Sequence, residues 1–281
     1  MAKGIGLIGN FKGKVGNTVG YKLTASNNGQ TQGIRVYQPI VKNPKSAGQA
    51  EQRAKLLAVN ATYRALKMVI DRGNEGLPYG NKSRLAWLKT ALKAEQMPWI
   101  EKGQPVTVPV VCPLTKGSLR GIGYKATSDN LTVDAAGVTS GTTMTTVGQL
   151  SAALIAAYPH LKKGDQLTFV FVAKDDDGMV SEVVSIVLDS DSAETLNSLF
   201  DGVSAINDAI TFEPHTSADF GAVIVSRQGD NGEHLRSTTT LDITKNMGTD
   251  APYDADSKAA AIASYRASAA SNSDWAEESI Q

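Results

Sequence analysis

The pattern of apolar residues changes once along this chain, between Met97-Pro98 and Gly103-Gln104-Pro105. Ahead of that point apolar residues recur mainly at helical spacing. Beyond it they gather into short strand-like runs. The pattern predicts an α+β protein with a domain boundary there: a module at 1–103, a second domain at 104–250, and a C-terminal helix and tail at 251–281.

The first module opens on glycines at 4, 6, 9, 13, 16 and 20, interspersed with Ile5, Leu7, Phe11, Val15 and Val19. Glycine at this density lets backbone approach backbone or a ligand closely. Strands are predicted at 18–25 and 31–38 around the turn signal Asn27-Asn28-Gly29, ended by Pro39 and Pro44. A long helix is predicted from Ser46 to Arg72, stopped by Gly73. Leu56, Val59, Tyr63, Leu66 and Ile70 form its expected core stripe. Ala54, Leu57, Ala58, Ala61, Ala65 and Met68 form a second, small-residue face suited to a close partner helix. Arg53, Asn60, Arg64, Lys67 and Asp71 fall within roughly 60° of one another at about 100° per residue, a polar stripe. A second helix is predicted at 81–95, with Leu85, Leu88, Ala91 and Leu92 inward and Lys82, Lys89 and Lys93 outward.

In the second domain, strands are predicted at 105–112, 166–173, 180–188, 209–213, 222–227 and 234–243. Lys174-Asp175-Asp176-Asp177-Gly178 and Gln228-Gly229-Asp230-Asn231-Gly232 read as hairpin turns. Short helices are expected at 147–157 and 193–200, and an alanine-rich helix at 256–270 with Asp254 or Asp256 as its cap. The strand spacing predicts an immunoglobulin-like β-sandwich with helical insertions. The full fold expectation is therefore a small basic β-hairpin plus two-helix module followed by that sandwich.

Charge follows the same division. Residues 1–103 hold 17 Lys+Arg against 5 Asp+Glu, a formal charge of +12. Residues 104–281 hold 11 against 23, a charge of −12, so the whole chain sums to zero. An asymmetry of this size points to a polyanion partner for the basic half.

Composition narrows the class. With 41% apolar, 20% charged and 6% aromatic residues, this is the make-up of a soluble globular protein. Cys112 is the single cysteine, so no intramolecular disulfide or thiolate cluster forms, and it reads as a buried small hydrophobe. Pro109 assigns its strand to a sheet edge. The N-terminal residues lack the 7–15-residue apolar stretch of a signal peptide, and no run approaches the 18 apolar residues of a membrane span. The expected location is a cytoplasm, unless the chain is packaged into a larger particle.

Residues 1–100 carry a recognisable motif. Gly9-Asn10-Phe11-Lys12-Gly13-Lys14-Val15-Gly16-Asn17-Thr18-Val19-Gly20-Tyr21 is followed by Arg35 and Pro39, Asn43-Pro44, then Gln49 and Arg53. This resembles an uncharacterised family of Bacteroidota and their phages, with the pattern G-x-x-x-G-K-V-G-x-x-V-x-Y, R-x-x-x-P, N-P and Q-x-x-x-R. The nearer likeness is to proteins of small gut single-stranded-DNA phages, the microviruses, some of them described as DNA-binding. The resemblance implies a host-cytoplasm or virion setting. It supplies no catalytic residues.

The candidate binding residues are Lys12, Lys14, Lys22, Arg35, Lys42, Lys45, Arg53, Arg64 and Lys67, with Tyr21 and Tyr37 as stacking residues and Tyr79 as a further aromatic. Lys and Arg displace condensed counterions from phosphates, and tyrosines stack on bases. A solvated helix face, or pairing with the acidic half of the same chain or of a neighbour, accounts for the same basic stripe. The glycine segment lacks G-x-x-x-x-G-K-[ST] spacing, so tight sheet packing or phosphate contact explains it better than a nucleotide loop. Asp175-Asp176-Asp177-Gly178 lacks the distal Glu of a calcium loop. His160, His215 and His234 stand apart, and no serine occupies a G-x-S-x-G elbow. The sequence therefore reads as a non-enzymatic nucleic-acid-binding protein, for single-stranded DNA, without cofactor or metal. The alternative is a virion-associated structural or assembly protein using the sandwich as an interaction domain. Expected partners are nucleic acid, further copies of the chain or virion proteins, and no membrane.

Overall fold

The computed structural model describes residues 13–15, 18–22 and 32–36, then 46–267 except 128, 142–143, 231 and 244–251. The protein is α+β, with several antiparallel sheets. It divides into two compact units, Met1–Lys45 and Ser46–Gln281. The residues around 103, where the sequence pattern changes, thus lie inside the second unit.

In the first unit, β1 (Gly13–Val15), β2 (Thr18–Lys22) and β3 (Gln32–Val36) form an antiparallel sheet in that order. β2 and β3 pair from Thr18↔Val36 to Lys22↔Gln32, the hairpin expected around Asn28-Gly29, and β1 adds a strand from within the glycine-rich segment.

The second unit starts with α1 (Ala47–Ala65), whose N-cap Ser46 accepts from the Gln49 amide. The long helix expected to reach Arg72 breaks at Leu66 (φ −108°, ψ 22°). It resumes as the single turn α2 (Lys67–Ile70). The buried row on α1 is Ala50, Ala54, Ala58 and Thr62, while Leu56 and Met68 are exposed. Val59, Leu66 and Ile70 of the expected core stripe are buried as well, so the core takes in that stripe except Leu56 and extends onto the small-residue side at Ala54 and Ala58. The reason is close approach. Thr62 accepts from the Val110 amide at 3.0 Å while donating to the Ala58 carbonyl, so backbone lies directly on this face. The partner helix is α5 (Ala255–Ala267), capped by Asp254 on the Ser257 amide and burying Ala261 in the same core as Ala54 and Ala58. Glu51 bridges Lys55 and Lys258 along this seam, and both ammonium groups sit over Trp99.

In α3 (Asn81–Ala91), Ala91 is buried and Leu88 and the C-cap Leu92 pack against the core as expected, but Leu85 departs from the expected face. Ser83, Trp87 and Ala91 are buried at i, i+4 and i+8, and Leu85 is exposed. The cause is at its start, where the Ser83 hydroxyl donates to the Ile70 carbonyl at 2.7 Å and accepts from Asn74. Lys82, Lys89 and Lys93 are exposed, as expected.

Residues 105–112 form no strand, although Val106, Val108, Val110 and Cys112 are buried alternately. The alternation is that of extended chain. Pro105, Pro109 and Pro113 lack the amides a ladder needs, so the segment docks on α1 instead. Burial pushes the Cys112 thiol up to about 12.

The strands that follow are β4 (Pro113–Thr115), β5 (Tyr124–Thr127), β6 (Asn130–Asp134), β7 (Gln166–Asp175), β8 (Gly178–Val187), β9 (Gly202–Ile206), β10 (Ala209–Glu213), β11 (Phe220–Gln228), β12 (His234–Arg236) and β13 (Thr239–Thr240). The strand expected at 234–243 is thereby split in two, and β13 pairs with β4. α4 (Val147–Ala157) precedes β7, held by a Thr146–Gln149 capping box. The helix expected at 193–200 is only a 3-10 turn, Leu196–Ser198.

Two four-stranded sheets run β5-β6-β10-β9 and β12-β11-β7-β8. They share one core. Leu131, Val133, Ile210 and Phe212 of the first meet Leu167, Phe169, Phe171, Val223 and Val225 of the second, with Leu150 and Leu154 of α4. The alternate residues Val170, Val172, Ala222 and Ile224 point into a second core with α1, α3 and α5. β7 and β11 are therefore buried on both faces, which explains their unbroken apolar runs.

Candidate nucleic-acid interface

The two units contribute separately. Met1–Lys45 carries seven basic residues (Lys3, Lys12, Lys14, Lys22, Arg35, Lys42 and Lys45) and no acidic one. On its sheet, Lys14 is opposite Val19, which is opposite Arg35; Tyr21 is opposite Gly33 and Lys22 opposite Gln32. Lys12, Tyr37, Lys42 and Lys45 lie outside the described residues.

On the second unit, Arg53 and Arg64 of α1 and Lys67 of α2 are all exposed. Among the described residues none of the three forms an ion pair. Arg53 and Arg64 are separated by about 16 Å along the axis at 1.5 Å per residue. The break at Leu66 takes Lys67 out of that regular spacing. Asp71, the acid of the stripe, accepts from the Tyr63 hydroxyl at 2.9 Å.

A second cationic cluster, largely invisible in the sequence, surrounds the loop from Asp71 to Gly80. Tyr79 is 51% exposed. The guanidinium carbons of Arg72 and Arg236 lie 5.9 and 5.7 Å from its ring centroid, and the His234 ring lies 5.8 Å away. Arg236 also approaches the Tyr79 hydroxyl at 3.4 Å. Nearby, Arg84 of α3 sits 4.5 Å from the Tyr63 ring. Each such contact contributes about 0.5–1 kcal/mol at an exposed site. A cleft of about 370 Å³ runs between this loop and β12, lined by Leu77, Tyr79, Glu233, His234 and Arg236 among others. A neighbouring cleft of about 550 Å³ extends toward Thr90 and Lys116.

Glu75 builds this cluster. Its carboxylate accepts from the Ser118 amide and hydroxyl, each at 2.8 Å, and from the Arg236 amide at 3.0 Å. Burial alone raises its pKa, but these donors outweigh it and hold the carboxyl below its ordinary 4.5. Gly117 makes the approach of β12 possible, since a Cβ there would fall 2.1 Å from the Arg236 carbonyl oxygen. Tyr79 was legible as an aromatic between Pro78 and Gly80. Arg236 comes from 157 residues downstream, and no local signal connects the two.

The remaining candidates separate in the fold. Asp175, Asp176 and Asp177 are exposed in the β7–β8 turn. His215 pairs with Asp201 at the surface, and His160 lies against Tyr158. Among the described residues no three His, Cys, Asp or Glu side chains are grouped to hold a metal ion, and no helix is long and apolar enough to cross a membrane. Compared with known proteins, the chain matches no protein family, no curated protein and no solved structure.

Proposed function

We propose that this chain is a non-enzymatic nucleic-acid-binding protein of a small phage, acting on single-stranded DNA through its basic N-terminal segment in the host cytoplasm or the virion. One observation carries the reading: a compact unit of 45 residues with seven cations and no anion. Without internal carboxylates its charges have no partners inside the unit, so phosphates neutralise them with release of counterions. Lys12, Lys14, Lys22, Arg35, Lys42 and Lys45, with Tyr21 and Tyr37, are the proposed contacts; Arg53, Arg64 and Lys67 extend them on the second unit. The resemblance of residues 1–100 to proteins of single-stranded-DNA phages supports the same reading.

The test is a salt series on the full chain with a fluorescent oligothymidylate. Log affinity should fall linearly with log salt, by about 0.7 for each phosphate contact on a single strand. Replacing Lys12, Lys14, Lys22 and Arg35 together by Ala should lower that slope. Equal slopes and affinities for the two proteins would overturn the reading.

A second reading, a virion-associated structural or assembly protein, is favoured by the strand order. We read the paired sheets as an immunoglobulin-like sandwich. The order β5-β6-β10-β9 against β12-β11-β7-β8 corresponds strand for strand to A-B-E-D against G-F-C-C′. In place of a disulfide pin, Phe169, Phe200 and Phe212 cluster between the sheets. Such a sandwich serves as an interaction domain in this reading, and co-purification of the chain with assembled particles is its discriminating measurement.

A further inference from the structure

We propose that Tyr79, with Arg72, Arg236 and His234 around it, is a stacking site for a base of single-stranded nucleic acid, the adjoining phosphates being held by the two guanidiniums. The inference rests on the nucleic-acid reading but places a separate contact on the unit Ser46–Gln281.

Charge is the first argument. Both guanidiniums approach one ring and so lie at most about 12 Å apart, on the order of one Debye length at physiological salt. Two like charges at that range repel. Among the described residues neither forms an ion pair. Glu75 lies close by, but its oxygens are already taken by Ser118 and the Arg236 amide. Glu233 lines the cleft and pairs with neither guanidinium. Glu75 keeps its own negative charge, since neutral donors hold it, but neither it nor Glu233 pairs with a guanidinium, so both guanidiniums keep N–H donors open to an anion.

The second argument is the ring. Tyr79 belongs to neither apolar core and half of it is exposed. The guanidiniums stand at 5.7–5.9 Å, wider than the 4.5 Å of Arg84 over Tyr63, so they flank the ring without sealing it. A half-exposed aromatic ring beside paired cations suits a ligand that is both planar and anionic, which a nucleotide within a strand is. Rigidity is the third. Gly80 donates to the Asp71 carbonyl at 2.8 Å, the Glu75 amide donates to the Lys116 carbonyl and the Lys116 amide to the Gly73 carbonyl, each at 2.9 Å, so the loop is held before any ligand arrives.

The experiment uses the full chain and a thymidylate 12-mer carrying 5-iodouracil. After photocrosslinking and trypsin digestion, the adduct should map to the peptide 73–82, which contains Tyr79. Tyr79→Ala should weaken binding of the 12-mer about tenfold, while Tyr79→Trp retains it. Neither should alter binding of an abasic deoxyribose-phosphate 12-mer. Arg72→Ala with Arg236→Ala should weaken both oligomers. Thymidine monophosphate alone should compete only weakly if the site reads a strand, and strong competition would reassign it to free nucleotides. Crosslinks elsewhere with full affinity in Tyr79→Ala would overturn this inference and leave the basic-unit reading intact. A crosslink at 73–82 with no effect of neutralising Lys12, Lys14, Lys22 and Arg35 would do the reverse. No DNA binding by the wild-type chain would end both.

Discussion

Phe169 of β7 and Phe212 of β10 meet across the two sheets with ring centroids 4.5 Å apart. Both are fully buried, and Phe200 packs on each of them. Phe212→Ala should therefore destabilise the fold by about 3–5 kcal/mol, the usual cost of emptying a buried aromatic site. Phe212→Leu should cost less. Urea unfolding measures both, and a loss under about 1 kcal/mol for the alanine variant would show that the sheets do not depend on this contact.

Asp165 is buried and accepts both Nε and Nη2 of Arg227 at 2.6 Å, as well as the Lys162 amide at 2.8 Å. Hydrogen bonding to the carboxylate raises the Arg227 pKa, which holds the guanidinium in its charged form. Removing one partner leaves the other uncompensated. Arg227→Met should cost about 3–5 kcal/mol by stranding the buried carboxylate, while Arg227→Met with Asp165→Leu should recover much of that loss. A double variant no more stable than Arg227→Met would contradict the assignment.

Glu75 makes stability depend on acid. Its folded pKa lies below the ordinary 4.5. Its contribution is therefore complete above that value and is lost as pH falls through the lower folded value. Each proton taken up steepens the decline by at most about 1.4 kcal/mol per pH unit. Glu75→Gln should be less stable than the parent at pH 7 and converge on it as pH falls below the lowered folded pKa. Unfolding curves that stay parallel over that range would show that the carboxylate is not the titrating group.

Arg53, Arg64 and Lys67 are exposed without an ion pair among the described residues. Replacing all three by Ala should leave thermal stability within about 0.5 kcal/mol, since surface positions contribute little. Affinity for single-stranded DNA should fall by a similar factor for every sequence, with a smaller salt slope. An unchanged slope would mean that these side chains face only water.

The local sequence determined those elements whose signals are local. Val147–Ala157 carries its own capping box, Asp254 caps the last helix, and the Asp176-Asp177 turn sets the register from Asp175↔Gly178 to Gln166↔Val187. The charge division was also readable directly. What composition could not reveal is which face of each helix is inward. Leu56 and Leu85 have the hydrophobicity of core residues yet are exposed. Backbone approaching Thr62 and Ser83 favours small side chains there and widens the buried face beyond Val59, Leu66, Ile70 and Ala91, which were legible as core. The prolines of 105–113 likewise turned an alternating run into docked coil rather than a strand. Arg236 reaches Tyr79 only because the β11–β12 hairpin returns to the loop after α2, with Gly117 and Glu75 admitting it. Periodicity and capping act over a few residues and so can be read along the chain. Packing joins residues whose separation in sequence carries no information about their distance in space, and only the tertiary structure decides it.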